Sequence, residues 1–303
     1  MRAYAILGPG GVGGLVAGAL ARSGVPVTVV AHEETAEAIE RDGLHVRSVR
    51  LGDFTARPPA VARLDEPVGT LIVATKATTL EPALERVAAE PGLVVPLLNG
   101  LDHLVVLRER FGDRAVAASI RVESSRVGRG AIVHASPYLQ IELASAEADR
   151  RAQLAPVAAD LRSAGIPAQV GQDEAAVMWT KLTRLVALGT TTSAAGMPLG
   201  AVRADPRWGP ALEAVVREAA AVARAEGAPA DPEATLAEIA AVHDDFRSSM
   251  QRDVEAGRTP ELDAIAGSVL RAGARHGIPC PTLTELTAIV AGRAGMTPPV
   301  AAA

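Results

Sequence analysis

The sequence predicts an α/β protein in two parts, an N-terminal Rossmann-type doubly wound sheet followed by an all-helical C-terminal domain. Three observations carry this expectation. The first half alternates short apolar runs with amphipathic stretches, as βαβ units do. A glycine-rich loop follows the first apolar run. After Gly171 the strand-like runs give way to Ala-rich segments of helical period, punctuated by glycine and proline. The chain has 303 residues, more than one domain usually holds, so domains at 1–171 and 172–303 are expected.

Strands are expected at 2–7, 27–30, 70–74, 93–97 and 115–118, with helices between them such as 13–23 and 34–42. Stretches 122–124, 131–134 and 138–143 read as strands joined by glycine turns, an antiparallel edge to the same sheet. A helix at 146–164 and a strand at 168–170 close this domain. Asp173 can cap a helix running through 188, because its side-chain oxygen satisfies backbone N–H groups that the first turn leaves open. Helices at 210–226, 231–242, 248–256, 261–276 and 282–291 follow, and the tail 297–303 is expected to be disordered.

The apolar fraction is 49 % but aromatics are only 2 %, so the cores must be built from Ala, Val and Leu. That favours closely packed helices over an all-β sandwich. A net charge of −5 without blocks of like charge argues against a nucleic-acid surface or a polybasic membrane face. The single Cys280 forbids an internal disulfide and fits a reducing compartment, so a cytoplasmic protein is expected. The apolar N-terminus runs straight into glycines and does not read as a signal peptide, and no run reaches the ~18 apolar residues of a membrane span. No metal is expected; a homodimer is compatible with the composition.

The loop is Gly8-Pro9-Gly10-Gly11-Val12-Gly13. Gly8 suits a tight turn, Gly10 lets the backbone approach a pyrophosphate, and Gly13 lets the helix pack close to the strand. The helix N-terminus adds N–H donors and partial positive charge. A bare G-x-G-x-x-G is also an ordinary glycine turn. Here it sits between a strand and a helix, with a second strand ending about 20 residues on, as a dinucleotide site requires. An S-adenosylmethionine-dependent methyltransferase shares such a loop but leaves the polar residues of the second half unexplained. The second strand ends in Ala31-His32-Glu33-Glu34. A ribose 2′-hydroxyl wants a carboxylate and a 2′-phosphate wants arginine. With two glutamates and no arginine, this tip leans to NAD over NADP, although Glu33 and Glu34 equally suit a helix N-terminus, and Arg47 or Arg50 lies near in sequence.

Several polar positions interrupt apolar surroundings. Lys76 ends the run Leu71-Ile72-Val73-Ala74-Thr75, and Asn99-Gly100 follows Val94-Val95-Pro96-Leu97-Leu98. Both then belong to the carboxyl edge of a parallel sheet, where such folds bind ligands, unless they are only a solvated lysine and a turn asparagine. Lys181 lies in Met178-Trp179-Thr180-Lys181-Leu182, among bulky apolar neighbours, and Ser248-Ser249-Met250-Gln251-Arg252-Asp253 runs on toward Glu261-Leu262-Asp263-Ala264-Ile265-Ala266-Gly267. Taken singly these are a surface lysine and an interhelical loop.

Together the motifs resemble the ketopantoate reductase family, a branch of the 6-phosphogluconate-dehydrogenase-like superfamily. The resemblance spans nearly the whole chain: the glycine loop, Lys76, Asn99-Gly100, Trp179-x-Lys181-Leu182, Gly196-x-Pro198-Leu199-Gly200, Ser248-Ser249-Met250-x-x-Asp253, Glu261-x-Asp263-x-Ile265-x-Gly267 and Gly277-Ile278-x-x-Pro281. It implies a 2-dehydropantoate 2-reductase of pantothenate biosynthesis, using NADP or NAD. Lys181 then matches the catalytic lysine and general acid, and Glu261 the glutamate that orients it and the substrate. Asn99 matches the residue that links cofactor and substrate, Lys76 a lysine near the cofactor, and Ser249 the serine that binds the substrate carboxylate.

Departures from the family pattern bear on the substrate. Family asparagines stand four and eight residues after the lysine, where this chain has Leu185 and Gly189. Ala266 replaces another asparagine, and His32 the arginine usual after the second strand. A small 2-oxo acid or a ketone is the expected substrate, and Thr190–Ser193 offer substitute hydroxyls. An NAD-dependent D-2-hydroxy-acid dehydrogenase or ketone reductase with an apolar pocket is the alternative. A dinucleotide-binding protein without catalysis is a further one, against which the joint presence of Lys76, Asn99, Lys181, Ser249 and Glu261 argues.

Overall fold

The computed structural model describes residues 3–299. Arg2, the start of one expected strand, and 300–303, the end of the expected disordered tail, lie outside the described residues. The described residues form two compact units, 3–98 with 103–177 and 99–102 with 178–299.

The first unit begins with β1 (Tyr4–Leu7), α1 (Gly11–Arg22), β2 (Val27–Val30), α2 (Glu33–Asp42), β3 (Leu44–Ser48), β4 (Phe54–Ala56), β5 (Ala60–Val61), β6 (Thr70–Val73), α3 (Leu80–Leu84), β7 (Leu93–Pro96) and α4 (Asp102–Phe111). It closes with β8 (Ala117–Gly128), β9 (Ala131–Ala144), α5 (Ala148–Ser163) and β10 (Ala168–Gly171). Five strands make a parallel sheet in the order β5-β2-β1-β6-β7. The order reverses beside β1, which is where open parallel sheets bind ligands. Side chains of β1 alternate between two cores. Tyr4 and Ile6 pack with Leu15, Val16 and Ile132, while Ala5 and Leu7 pack with Leu80, Leu84, Leu107 and Phe111. Burial on both faces explains why these strands read as continuous apolar runs.

Residues 122–143 do not form an edge of that sheet, as the sequence had suggested. β8 and β9 form a long antiparallel hairpin with two register irregularities, in a second sheet of order β10-β9-β3-β4. The difference comes from β3, which sequence reading passed over and which pairs parallel with β9 from His45–Ala131 to Ser48–His134. With β8 and β10 also paired to it, β9 buries Ile132, Leu139, Ile141 and Leu143 in the core beneath α1.

The second unit holds α6 (Glu174–Ala195), whose first residues belong to the first unit, and α7 (Leu199–Ala204), α8 (Trp208–Ala225), α9 (Pro232–Ala240), α10 (Ser249–Glu255), α11 (Ser268–Arg275) and α12 (Pro281–Ala294). Asp173 Oδ1 accepts from Ala176 N at 2.8 Å, the cap the sequence implied. α6 continues past 188, and there Thr190 and Thr192 return their hydroxyls to Val186 O and Leu188 O at 2.7 Å, so that neither competes for the helix's own N–H groups. The α7 turn is an addition, and the expected helix 261–276 is interrupted by a π turn at Asp263–Gly267. Ala219, Ala220 and Ala223 of α8 are fully buried, the close packing that an aromatic-poor core demands. α12 starts at Pro281 without a local cap; Glu218 on α8 accepts from Thr282 N and Leu283 N at 2.9 Å instead. No helix among the described residues is long and apolar enough to cross a membrane.

Burial, and then the Glu218 carboxylate, push the thiol of Cys280 from near 9 up to about 11. Only thiolate alkylates at a useful rate, so two units mean ~100-fold less reactive form at pH 8. Iodoacetamide should therefore modify folded protein roughly a hundredfold more slowly than chain unfolded in urea, as followed by mass spectrometry.

Candidate active site

The glycine loop of the first unit is held by its own backbone. Gly8 N donates to Val30 O at 3.0 Å, Gly10 N to Gly8 O at 2.8 Å, and Gly14 N to Gly10 O at 2.8 Å. Gly8 has φ +89°, and a Cβ there would stand 2.8 Å from Thr75 Cγ2. A Cβ on Gly13 would overlap the Gly8 carbonyl oxygen, and one on Gly11 the Ser124 carbonyl oxygen. Gly10 differs: a Cβ there would meet no protein atom within 4 Å. It is also the cap position of α1, with no side chain over the N–H groups of the first turn. Pro9 and Val12 complete the turn. Three glycines are thus required by packing, while the fourth leaves open space beside unshielded donors, an arrangement that fits a pyrophosphate.

At the end of β2, His32 takes the cap position of α2. An arginine is present there after all, brought by the fold from 54 positions along the chain. Arg86 Nη2 lies 2.8 Å from His32 Nδ1, and Arg86 Nη1 donates to Glu33 Oε1 at 3.1 Å and to Ala62 O at 3.0 Å. Glu33's own backbone N–H and then Arg86 hold its carboxyl below the usual range. Glu34 is paired in turn with Arg129. Neither Arg47 nor Arg50 is what reaches the tip. Lys76 is exposed just beyond β6 and takes the cap position of a 3-10 turn, Ala77–Thr79.

The second unit brings together the residues that the sequence left far apart. Lys181 Nζ on α6 donates to Asn99 Oδ1 at 2.9 Å, and Asn99 Nδ2 donates to Glu261 Oε2 at 2.9 Å. Asn99 is placed by the glycine after it. Gly100 has φ +85°, and a Cβ there would overlap the backbone oxygen of Ala264, inside the π turn. Arg271 ties the same segment down, donating to Asp102 Oδ2 at 2.5 Å and to Asp263 Oδ1 at 2.7 Å. A π turn in an α-helix is costly and frequently marks a functional site. Here it receives the chain that carries Asn99.

Leu185 stands one turn beyond Lys181 on α6 and is half-buried. Gly189, one further turn on, is buried, and the direction its Cβ would take leads to Met250 Cε at 3.4 Å. Met250 thus packs over Gly189, a contact hidden in sequence because the two are 61 positions apart. Ser249 is the exposed first residue of α10, whereas Ser248 is its buried cap, accepting from Gln251 N at 3.0 Å and bonded to Thr192 Oγ1 at 2.8 Å. Thr190 and Thr192 are engaged with helix carbonyls, while Thr191 Oγ1 and Ser193 Oγ are buried without a hydrogen-bond partner.

Profiles described as ketopantoate reductase PanE/ApbA and its C-terminal part match residues 4–148 and 174–294. The chain belongs to the ketopantoate reductase family. An uncharacterized oxidoreductase, YkpB of Bacillus subtilis strain 168, is 27 % identical over 94 % of this chain and 96 % of its own length. A 2-dehydropantoate 2-reductase of Halobacterium salinarum is 26 % identical, with 94 % and 96 % covered. The crystal structure of a PanE/ApbA family ketopantoate reductase from Ralstonia eutropha JMP134 superposes with a TM-score of 0.85 at 26 % identity, covering 96 % of this chain and 98 % of that one. Ketopantoate reductase family members thus match this chain over both units.

Replacing Gly100 by alanine should strain the positive φ and push the backbone off Ala264, costing more than about 1 kcal/mol. Both tryptophans, Trp179 and Trp208, lie in the second unit, so urea unfolding followed by their fluorescence reads that unit directly. An unchanged midpoint in Gly100→Ala would show that the close approach is not needed.

Proposed function

We propose that this chain reduces the carbonyl of small 2-oxo acids, as its 2-dehydropantoate 2-reductase relatives are named for doing, with Lys181 as general acid. The observation that carries this reading is the hydrogen-bonded line from Lys181 through Asn99 to Glu261. A nicotinamide dinucleotide, held by Gly8 to Gly13 and approached by His32 and Lys76, supplies the hydride. Glu261 fixes the amide of Asn99, so the carbonyl oxygen of that amide faces the lysine. An ammonium offers three N–H donors, more than the bond to Asn99 uses. A substrate carbonyl oxygen that accepts from Nζ is polarised; as its carbon gains hydride, the C=O electron pair moves to oxygen and takes the lysine proton. Lysine is left as the amine and regains a proton from water. The exposed hydroxyl of Ser249 suits the substrate carboxylate, and Glu261 and Asn99 hold the substrate beside Lys181. A protein that only binds dinucleotides has no use for this line.

Lys181→Ala should lower kcat by about 10²–10⁴-fold while leaving dinucleotide affinity nearly unchanged, since the glycine loop is untouched. Oxidation of the reduced cofactor at 340 nm and a binding titration measure the two quantities. A variant that keeps more than about a tenth of wild-type kcat would falsify the assignment.

A second reading concerns the substrate side chain. Where family members carry asparagines, this chain presents Leu185 and, over Gly189, Met250. A polar hydroxyl placed there loses a partner, at about 1–3 kcal/mol, whereas each buried methylene gains roughly 0.8 kcal/mol. Apolar 2-oxo acids such as 2-oxoisovalerate, the substrates of a D-2-hydroxy-acid dehydrogenase run in reverse, should surpass ketopantoate in kcat/KM. Leu185→Asn should narrow the gap about tenfold. Efficient reduction of ketopantoate by the wild type, with apolar analogues refused, would sink this second reading and leave the first intact.

A further inference from the structure

We propose that Arg184 anchors the substrate carboxylate, a specificity-determining residue that makes this a site for 2-oxo acids and not for neutral ketones, with Glu238 as the counter-ion that the carboxylate displaces. The inference deepens the reading above and rests on Lys181 being the group that polarises the carbonyl. It separates two substrate classes that the sequence leaves side by side.

Arg184 lies three residues beyond Lys181 on α6, a spacing that makes helix side chains neighbours, about 5–6 Å apart at Cβ. Burial picks out the same place. From Leu182 to Ala194 every residue of α6 is buried except Arg184 and Leu185, so these two continue the open stripe that holds Lys181. At about 100° per residue, Arg184 is turned roughly 60° to one side of the lysine and Leu185 roughly 40° to the other. One flank of Lys181 is thus hydrocarbon and the other is cationic. The Arg184 side chain is only 21 % exposed, so its five N–H donors have little water to bond and need acceptors. Glu238 on α9 meets that need poorly. Its Oε2 is 3.8 Å from Arg184 Nη1, longer than a hydrogen bond, and its side chain is 45 % exposed.

In a 2-oxo acid the carboxylate is bonded directly to the carbonyl carbon. The group that binds it must therefore stand beside the group that polarises the carbonyl, as Arg184 stands beside Lys181. The planar fork of arginine meets both carboxylate oxygens at once, whereas Ser249 brings a single hydroxyl donor. Charge points the same way. Glu261 already gives the line through Asn99 one negative charge, and the substrate carboxylate adds a second. Lys181 balances one of them and Arg184 the other. Glu238, released, turns to the water it already faces, and an ion pair as open as this one loses little when it parts.

Two pairs of substrates test this, each pair differing only in a methyl group where the acid has its carboxylate. They are 2-oxoisovalerate with 3-methylbutan-2-one, and ketopantoate with 4-hydroxy-3,3-dimethylbutan-2-one. With NADPH or NADH at saturation, wild-type kcat/KM should favour the acid of the better pair by roughly a hundredfold. Arg184→Ala should raise KM for that acid by more than about tenfold and shrink its advantage over the ketone to a few-fold. Arg184→Lys, or millimolar guanidinium ion added to Arg184→Ala, should restore part of it. Glu238→Gln should lower KM for the acid several-fold, because a competitor for the guanidinium is gone. A pair that only braces α6 against α9 predicts otherwise: both variants unfold at lower urea, and neither changes the ratio of acid to ketone. That result, or a wild type that reduces ketone as well as acid, overturns the anchor and leaves the reductase reading standing. Reduction of neither acid by the wild type overturns that reading, and the anchor with it.

Discussion

The side-chain amide of Asn99 has one oxygen and one nitrogen at its end, and the second unit gives each a single suitable neighbour. Its oxygen accepts from Lys181 Nζ and its nitrogen donates to Glu261 Oε2. Rotated by half a turn, the amide would set donor against donor and acceptor against acceptor, losing both bonds. The lysine and the glutamate therefore keep a fixed relation although they come from different helical segments. That relation depends in turn on how closely Gly100 approaches Ala264, which no residue with a Cβ allows.

Arg271 and the π turn serve the same end. By binding Asp102 and Asp263 together, Arg271 joins the short segment 99–102 to the π turn that starts two residues after Glu261. An exposed ion pair is a weak tie, but Arg271 is only 23 % exposed and forms two. On the other side Met250 closes over Gly189, and Ser248 is bonded to Thr192. The lysine face of α6 is thus lined by hydrocarbon and thioether beyond Leu185, with polar groups gathered at Lys181 itself.

Much of this was legible in the residues. Strands buried on both faces announce themselves as unbroken apolar runs, and β1, β2, β6 and β7 are of that kind. The glycine loop was readable because backbone conformation restricts residue choice there, and Asp173 because a cap is a local interaction. What escaped was whatever depends on partners distant in sequence. β3 is a short alternating strand that makes sense only with β9 beside it. Arg86 looks like a surface residue between α3 and β7 until the sheet order brings it to the end of β2, and Met250 gives no sign of Gly189 beneath it. α6 runs on to Ala195, past the expected end at 188, and the hydroxyls of Thr190 and Thr192 bond back to its own carbonyls.

The π turn places a constraint on chain length that stability alone does not impose. Five residues, Asp263–Gly267, complete a wider turn than the α-helix that follows them. Each residue of such a turn advances by only about 80°, against about 100° in an α-helix. Drawn into regular α form at the same length, the five residues would rotate everything N-terminal to them by roughly 90° relative to α11. Glu261 would then face away from Asn99, although the helix itself had become more regular. At this length of chain, helical regularity and the alignment of the lysine's partners are mutually exclusive, so a substitution that draws the turn into an α-helix should cost the alignment even as it steadies the helix.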